Sequence, residues 1–428
     1  MMTSKAMKQA IYNQAYVWVW LPDSDAPVVA GVLTRQGRQL VFNYGRSYLE
    51  RSNAMALYAP ELPLVAGAIP LLPGMDMPSC IRDASPDAWG RRVLINRKFG
   101  LKGVAAADAE LDELTYLLES GSDRVGALDF QVSPTQYVAR QPQKASLDDL
   151  FSAADKVAQG LPLAADLGQA LQHGTSLGGA RPKVLLDEFD SKWIAKFSAS
   201  NDLYNVVKAE YIAMRLAAKV GLNVANVQLT TTLGKDVLLI ERFDRVRHQG
   251  GWHRRAMVSA LTLLGLDEMM AAYASYEKLA ELVRFRFKDA KATLRELFGR
   301  IVFNVLCGNT DDHARNHAAF WDGHQLTLTP AYDICPQARA GEEATQAMLI
   351  HGQKRNSQIA TCLDAAAAFL LKPDEALAIV NGQITEIRES WLALCNEAKL
   401  SEVDRNYFWH RQFLNPYVFY GAPDGLQH

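Results

Sequence analysis

Between residues 15 and 45 the chain alternates apolar bursts with turn formers. Tyr16-Val17-Trp18-Val19-Trp20-Leu21 runs into a Pro/Asp/Ser turn, then come Val28 to Leu33 and Gln39 to Tyr44. Runs rich in aromatic and β-branched residues with such breaks predict a small antiparallel sheet or open barrel. A helix follows over Asp83 to Asn96, with Ser85 or Asp87 as its cap. Residues 131 to 147 turn polar and Pro/Gln-rich, which marks a boundary.

Beyond residue 148 the periods change. Lys192 to Phe197 reads as a strand, and Val206 to Val220 carries Val207, Tyr211, Met214 and Leu216 at helical spacing. Asp236 to Phe243 reads as another strand. From Met257 the pattern is mostly helical, including Ala290 to Leu306, Asp364 to Leu371 and Asp374 to Ala393. No internal repeat is evident.

Composition narrows the class. The 428 residues suffice for two or three domains, and 49% hydrophobic with 21% charged residues is ordinary for a globular protein. Lys plus Arg number 45 against 47 acidic residues, a net charge of -2, so no bulk attraction to nucleic acid or anionic membrane is implied. The five cysteines are scattered without a CxxC pair, which argues against a disulfide framework or zinc site. The start has no apolar run after its lysines, and Ala365 to Leu371 is too short to span a bilayer. A cytoplasmic location is expected.

Chemistry concentrates around residue 310. In Asn309-Thr310-Asp311-Asp312-His313-Ala314-Arg315-Asn316, an Asp is followed five positions later by an Asn. Asp333 comes seventeen residues after that, on an expected strand. A carboxylate that accepts a hydroxyl proton, with an amide oxygen and a second carboxylate as hard ligands for Mg2+, are parts of a phosphoryl-transfer site. Two other readings compete. Asp311, Asp312, His313 and His317 resemble a hydrolase metal set, or the loop is merely polar and turn-forming.

Upstream, Gly174-Thr175-Ser176-Leu177-Gly178-Gly179-Ala180-Arg181-Pro182-Lys183 offers close backbone approach and positive charge to phosphates. By itself it is equally a Gly-rich surface turn. Lys196, thirteen residues after Lys183, either points to solvent or meets phosphates, with Glu210 on the next helix to orient it. Glu241-Arg242-Phe243 falls at a strand end where a hinge would meet adenine. The serial order of glycine loop, strand Lys, helix Glu, strand end, Asp…Asn and Asp favours a kinase site.

Several stretches resemble the HipA family, the Ser/Thr kinase toxins of bacterial type II toxin–antitoxin systems. They are residues 176–183, Ile240 to Arg245, Asn309 to Asn316 and Pro330 to Asp333, together with Pro86 to Arg92 and Asp123 to Leu128. The resemblance covers about residues 15 to 400. It implies Asp311 as catalytic base and Asn316 and Asp333 as Mg2+ ligands. Lys196 would contact the ATP phosphates, and Gly178, Gly179, Ala180, Arg181 and Lys183 would form the loop over them. Glu241 and Phe243 would supply hinge contacts, His313 would join the nucleotide-binding set, and Ser176 matches the autophosphorylation position. Asp312 departs from members that carry Gly there, which puts the local metal geometry in question. The implied partners are a helix-turn-helix antitoxin, operator DNA mainly through that antitoxin, and a protein substrate such as an aminoacyl-tRNA synthetase; no membrane is implied.

The expected architecture is α+β. A β-containing N-terminal domain (1–145) is followed by a mainly helical domain (146–428) with a protein-kinase-like core. The expected activity is that of a Ser/Thr protein kinase toxin. The alternatives are a small-molecule kinase and a catalytically weak, antitoxin-binding corepressor.

Overall fold

The computed structural model describes residues 12–99, 111–140, 145–161, 163, 171, 179–188, 190–198, 202–249, 251–339 and 341–426. Four strands, β1 (Gln14–Val19), β2 (Val28–Gln36), β3 (Gln39–Tyr44) and β4 (Leu128–Gln131), form an antiparallel sheet in the order β3-β2-β1-β4. The three expected strands form. The fourth arrives from more than eighty residues downstream to cover the free edge of β1. In β3 burial alternates, Leu40, Phe42 and Tyr44 facing the core, because a strand has a side-chain period of two.

A second antiparallel sheet, in the order β5-β6-β8-β7, contains β5 (Lys183–Asp187), β6 (Lys192–Phe197), β7 (Val227–Thr232) and β8 (Lys235–Glu241). In β6 the odd positions Trp193, Ala195 and Phe197 pack in a core with Trp89, Val93 and Leu150. Ile194 and Lys196 therefore face the opposite side. Helix Val206–Lys219, capped by the Asn205 side chain accepting from Lys208 N, packs against β7 and β8. A hairpin, β9 (Arg245–His248) and β10 (Gly251–Arg254), leads away from the strand end.

The remainder is mainly helical. Helices Tyr276–Arg286, Ala290–Cys307 and Pro373–Glu397 surround a fully buried Ile301, Val302 and Phe303. Helix Ala290–Cys307 ends at Gly308, whose φ of 72° supplies the left-handed cap that turns the chain into the Asp311 loop.

The helical expectation beyond Met257 missed a three-stranded sheet of β11 (Met257–Ser259), β12 (Ala318–Trp321) and β13 (Leu326–Leu328). Three- and four-residue strands are too short for alternation to register. The helix expected over Asp364 to Leu371 is also corrected. An α-helix covers Ile359–Asp364, and a 3-10 turn at Ala366–Phe369 stops at Leu370, φ 58°. Asp333 is not on a strand: it lies beyond β13 with φ 59°. Among the described residues, no helix is long and apolar enough to cross a membrane.

Candidate active site

A cleft of about 250 Å³ opens between the β5–β8 sheet, the 313–316 turn and the N-terminal part of the chain. Lys196 enters it from β6. Its side chain is 8% exposed, and Nζ donates 2.6 Å to Glu210 Oε1 and also to Asp333 Oδ1. Thus a strand, a helix and a loop 137 residues away meet at one ammonium. Burial alone would lower the Lys196 pKa, but Asp333 and Glu210 outweigh it and hold the ammonium above the ordinary lysine range. Enclosure would raise the Asp333 carboxyl, yet Lys196 and Lys183 hold it well below the usual carboxylate range. Glu210 goes the other way. Its burial pushes the carboxyl up, Asp333 adds to the rise, and Lys196 opposes it.

Lys183 is buried near the same charges. Burial, with Lys196's positive charge, pulls its amine down to about 8. Gly179 and Lys183 line the cleft, whereas Arg181 turns to an ion pair with Asp202 at 2.5 Å. Ala180 is not among the lining residues. Ser176 and Gly178 lie outside the described residues.

The Asp311 segment divides by direction. Asp311 is exposed, and its carboxyl is raised by partial desolvation, with Asp333 and Asp312 adding and His313 opposing. Asn316 lines the cleft and donates Nδ2 to Asp311 O at 3.2 Å, which leaves its amide oxygen as the atom able to ligate a cation. His313 lines the cleft, and its buried Nδ1 has no hydrogen-bond partner.

Asp312, in contrast, points inward. Its Oδ2 accepts from Asn304 Nδ2 at 2.7 Å and from the Tyr276 hydroxyl, and lies 3.0 Å from His317 Nε2. The departure from Gly therefore adds no carboxylate to the cleft; it anchors the loop from behind. Asp312 and His317 are committed to each other, so the hydrolase reading of this segment fails. Among the described residues, no group of three His, Cys, Asp or Glu side chains could hold a metal. An Asn amide oxygen and a carboxylate kept ionised by two lysines do suit Mg2+, which takes few protein ligands when phosphates complete its shell.

The far wall carries the strand end. Glu241 N bonds to Asn226 O at 2.9 Å, Asn226 Nδ2 donates to Glu241 Oε2 at 3.1 Å, and Phe243 packs against Phe320 and Tyr332. Behind it lies a buried ionic joint. Arg242 pairs with Asp123 at 3.0 Å and Asp244 at 2.8 Å, Arg245 pairs with Asp123 at 2.6 Å, and Gly126 N donates to Asp244 at 2.8 Å. Burial would raise Asp244, but Arg242 and Arg245 bring it down to about 2. The N-terminal part is thereby bonded to the strand end.

Sequence reasoning missed that the N-terminal part lines this cleft. Asp87, proposed as a helix cap, stands just before helix Ala88–Phe99, but its Oδ2 accepts from Gly179 N at 2.7 Å. Its Oδ1 lies 3.4 Å from Arg315 Nη1, another lining residue not foreseen. Asp83 accepts from Ser259 N and Oγ and from Thr262 Oγ1 at 2.7–2.8 Å. The run Pro86 to Arg92 carries part of the family resemblance, yet nothing local says that Asp87 faces a glycine 92 residues on.

The HipA-like C-terminal domain family matches residues 175–391 and the HipA N-terminal domain family matches residues 18–131. Y4mE of Sinorhizobium fredii, named as a kinase, is 26% identical over 231 residues, 50% of this chain and 54% of that protein. The serine/threonine-protein kinase toxin HipA of Shewanella oneidensis is 28% identical over 187 residues, 37% of this chain and 42% of that protein. The chain spans about half the length of these curated relatives. In the solved complex of Shewanella oneidensis HipA, HipB and operator DNA, one chain matches with a TM-score of 0.62 at 18% identity, covering 93% of this chain and 95% of that one. Matched over half its length by one family description and at its N-terminal part by the other, the chain belongs to the HipA family.

Proposed function

We propose that the protein is an ATP- and Mg2+-dependent serine/threonine protein kinase, acting as the toxin of a toxin–antitoxin pair. One observation carries this: Lys196 bridges Glu210 and Asp333 inside a cleft that also holds Asn316 and the strand end Glu241–Phe243. In this reading Lys196 and Lys183 meet the ATP phosphates, while the backbone around Glu241 and Phe243 receives adenine. Asn316 and Asp333 would hold Mg2+, which would supply charge neutralisation at the phosphates. Asp311, exposed and with a raised pKa, accepts the proton of the acceptor hydroxyl. The hydroxyl oxygen bonds to the γ-phosphorus as the bond to the bridging oxygen breaks, and ADP leaves. Asp312 keeps Asp311 and Asn316 in register from behind.

The finer assignments extend this proposal, with family membership as their support. The partner is a helix-turn-helix antitoxin that carries operator DNA contacts, in keeping with a net charge of -2 on this chain. The protein substrate is a translation component of the aminoacyl-tRNA synthetase class, Ser176 is the site of self-modification, and the domains divide near residue 145.

The test is incubation of the purified protein with γ-labelled ATP, Mg2+ and a cell lysate, followed by mass spectrometry. Label on serine or threonine of proteins, lost in Asp311→Asn, is the expected result. Label on a metabolite and on no protein would replace this reading with a small-molecule kinase. No label at all would leave a nucleotide-independent, antitoxin-binding role.

A further inference from the structure

We infer that Asp87, from the N-terminal part of the chain, is a positioning residue that sets where the Lys183 ammonium stands in the nucleotide cleft. The inference rests on the kinase reading above. Gly179 adopts φ 89°, a conformation that side-chain-bearing residues rarely take, and a Cβ there would overlap Lys183 Nζ. The lysine amine therefore lies directly across the glycine, in the space its missing side chain leaves. The Gly179 turn thus bounds where that amine can stand.

Three bonds from one short stretch fix it. Asp87 Oδ2 accepts from Gly179 N at 2.7 Å, Trp89 N donates to Gly179 O at 3.2 Å, and Trp89 Nε1 donates to Lys183 O at 2.9 Å. Trp89 is fully buried among the β5–β8 core residues, so it cannot yield. Asp87 is the adjustable member, since its carboxylate also reaches toward Arg315 beside the metal-site residue Asn316. Because Gly179 N–H is spent on Asp87, it is not free to cradle a phosphate. Positive charge is supplied here by Lys183, which pairs in register with Lys196 across β5 and β6 and also feels Asp333.

The consequence is that a residue of the N-terminal part, itself on the cleft wall, controls nucleotide affinity through the placement of Lys183. The test compares Asp87→Ala with Asp87→Asn in the full chain. Affinity is measured by titration with MgATP, and protection of the 179–183 backbone by hydrogen exchange without nucleotide. Asparagine keeps an oxygen acceptor for Gly179 N–H; alanine keeps nothing. Losing one charge-assisted bond predicts about tenfold weaker MgATP binding in Asp87→Ala, against about threefold or less in Asp87→Asn. Exchange at 179–183 should rise only in the alanine variant, with thermal midpoints of the two variants alike. In turnover assays KM for ATP should rise in Asp87→Ala more than kcat falls. Unchanged MgATP affinity in Asp87→Ala, beside raised exchange, would overturn the positioning role while leaving the kinase reading intact. Equal losses in both variants would likewise overturn it, placing the effect on the Arg315 contact. A wild-type protein that binds no MgATP would overturn both.

Discussion

Replacing Lys196 by methionine tests the charged centre of the cleft most directly. The methionine fills a similar volume but leaves Glu210, 3% exposed, without its buried cation. Breaking one partner of a buried pair costs about 3–5 kcal/mol. Asp333, with 39% of its side chain exposed, loses the same cation at a smaller cost because solvent reaches it and Lys183 stays beside it. Glu210→Gln removes the charge but keeps a polar group beside an ammonium that Asp333 still pairs, so about 1–2 kcal/mol is expected. In the double variant neither member of the buried Lys196–Glu210 pair is charged, and the loss should fall short of the sum of the single losses by about 2 kcal/mol. The pH dependence adds a signature. Burial already raises the Glu210 pKa against the pull of Lys196, and without that pull it rises further. A carboxyl that is more basic folded than unfolded stabilises below its unfolded value of about 4.3, and that contribution is lost as pH rises. Lys196→Met should therefore recover stability as pH falls from 7 toward 4.5, at up to about 1.4 kcal/mol per pH unit, relative to wild type. Urea midpoints followed by circular dichroism at fixed slope measure both effects. A Lys196→Met protein as stable as wild type at pH 7, strictly additive losses, or a pH-independent difference would each refute the reasoning.

Asp312→Ala should leave the donors of Tyr276, Asn304 and His317 buried without an acceptor, costing about 3 kcal/mol or more in denaturant unfolding, with Asp312→Asn recovering roughly half. Asp244, held at about 2, and Asp123, also below the ordinary range, stabilise the fold above pH about 4 and lose that contribution as pH falls toward 2. Asp244→Asn should accordingly flatten the fall in thermal midpoint between pH 4 and 2 while lowering the midpoint at pH 7. Gly308→Ala forces a side chain into φ 72° with its Cβ 2.7 Å from Gln412 O. A loss of about 2 kcal/mol or more is expected, measured as a lower urea midpoint.

What was legible in the sequence was whatever depends on near neighbours. The strands at Val28, Gln39 and Lys192 and the helices at Val206 and Ala290 have periodicities set by their own residues, and they form within a few positions of the expected bounds. The order of chemical groups, Lys196, Glu210, Asp311, Asn316 and Asp333, was also readable, since the chain itself states it. Short strands such as Leu326–Leu328 were not, because three residues carry no usable period and only pairing with β12, helped by a bridge from Phe287 to Leu326, makes them strands.

The direction of each polar side chain was decided elsewhere. Asp311 and Asp312 are adjacent and chemically identical. One stands in solvent beside the cleft, and the other is buried because Tyr276, Asn304 and His317 converge on it from separate segments. Asp87 reads as a helix cap, yet faces Gly179 and Arg315 because the N-terminal part packs against the β5–β8 sheet through Trp89. A lysine in a strand is ordinarily solvated. Lys196 is buried because Trp193, Ala195 and Phe197 claim the other face of β6, and two carboxylates from distant segments make its burial tolerable. Local sequence determined which groups exist and in what order. Long-range packing decided which of them face one another, since a buried charge goes where its partners can reach it.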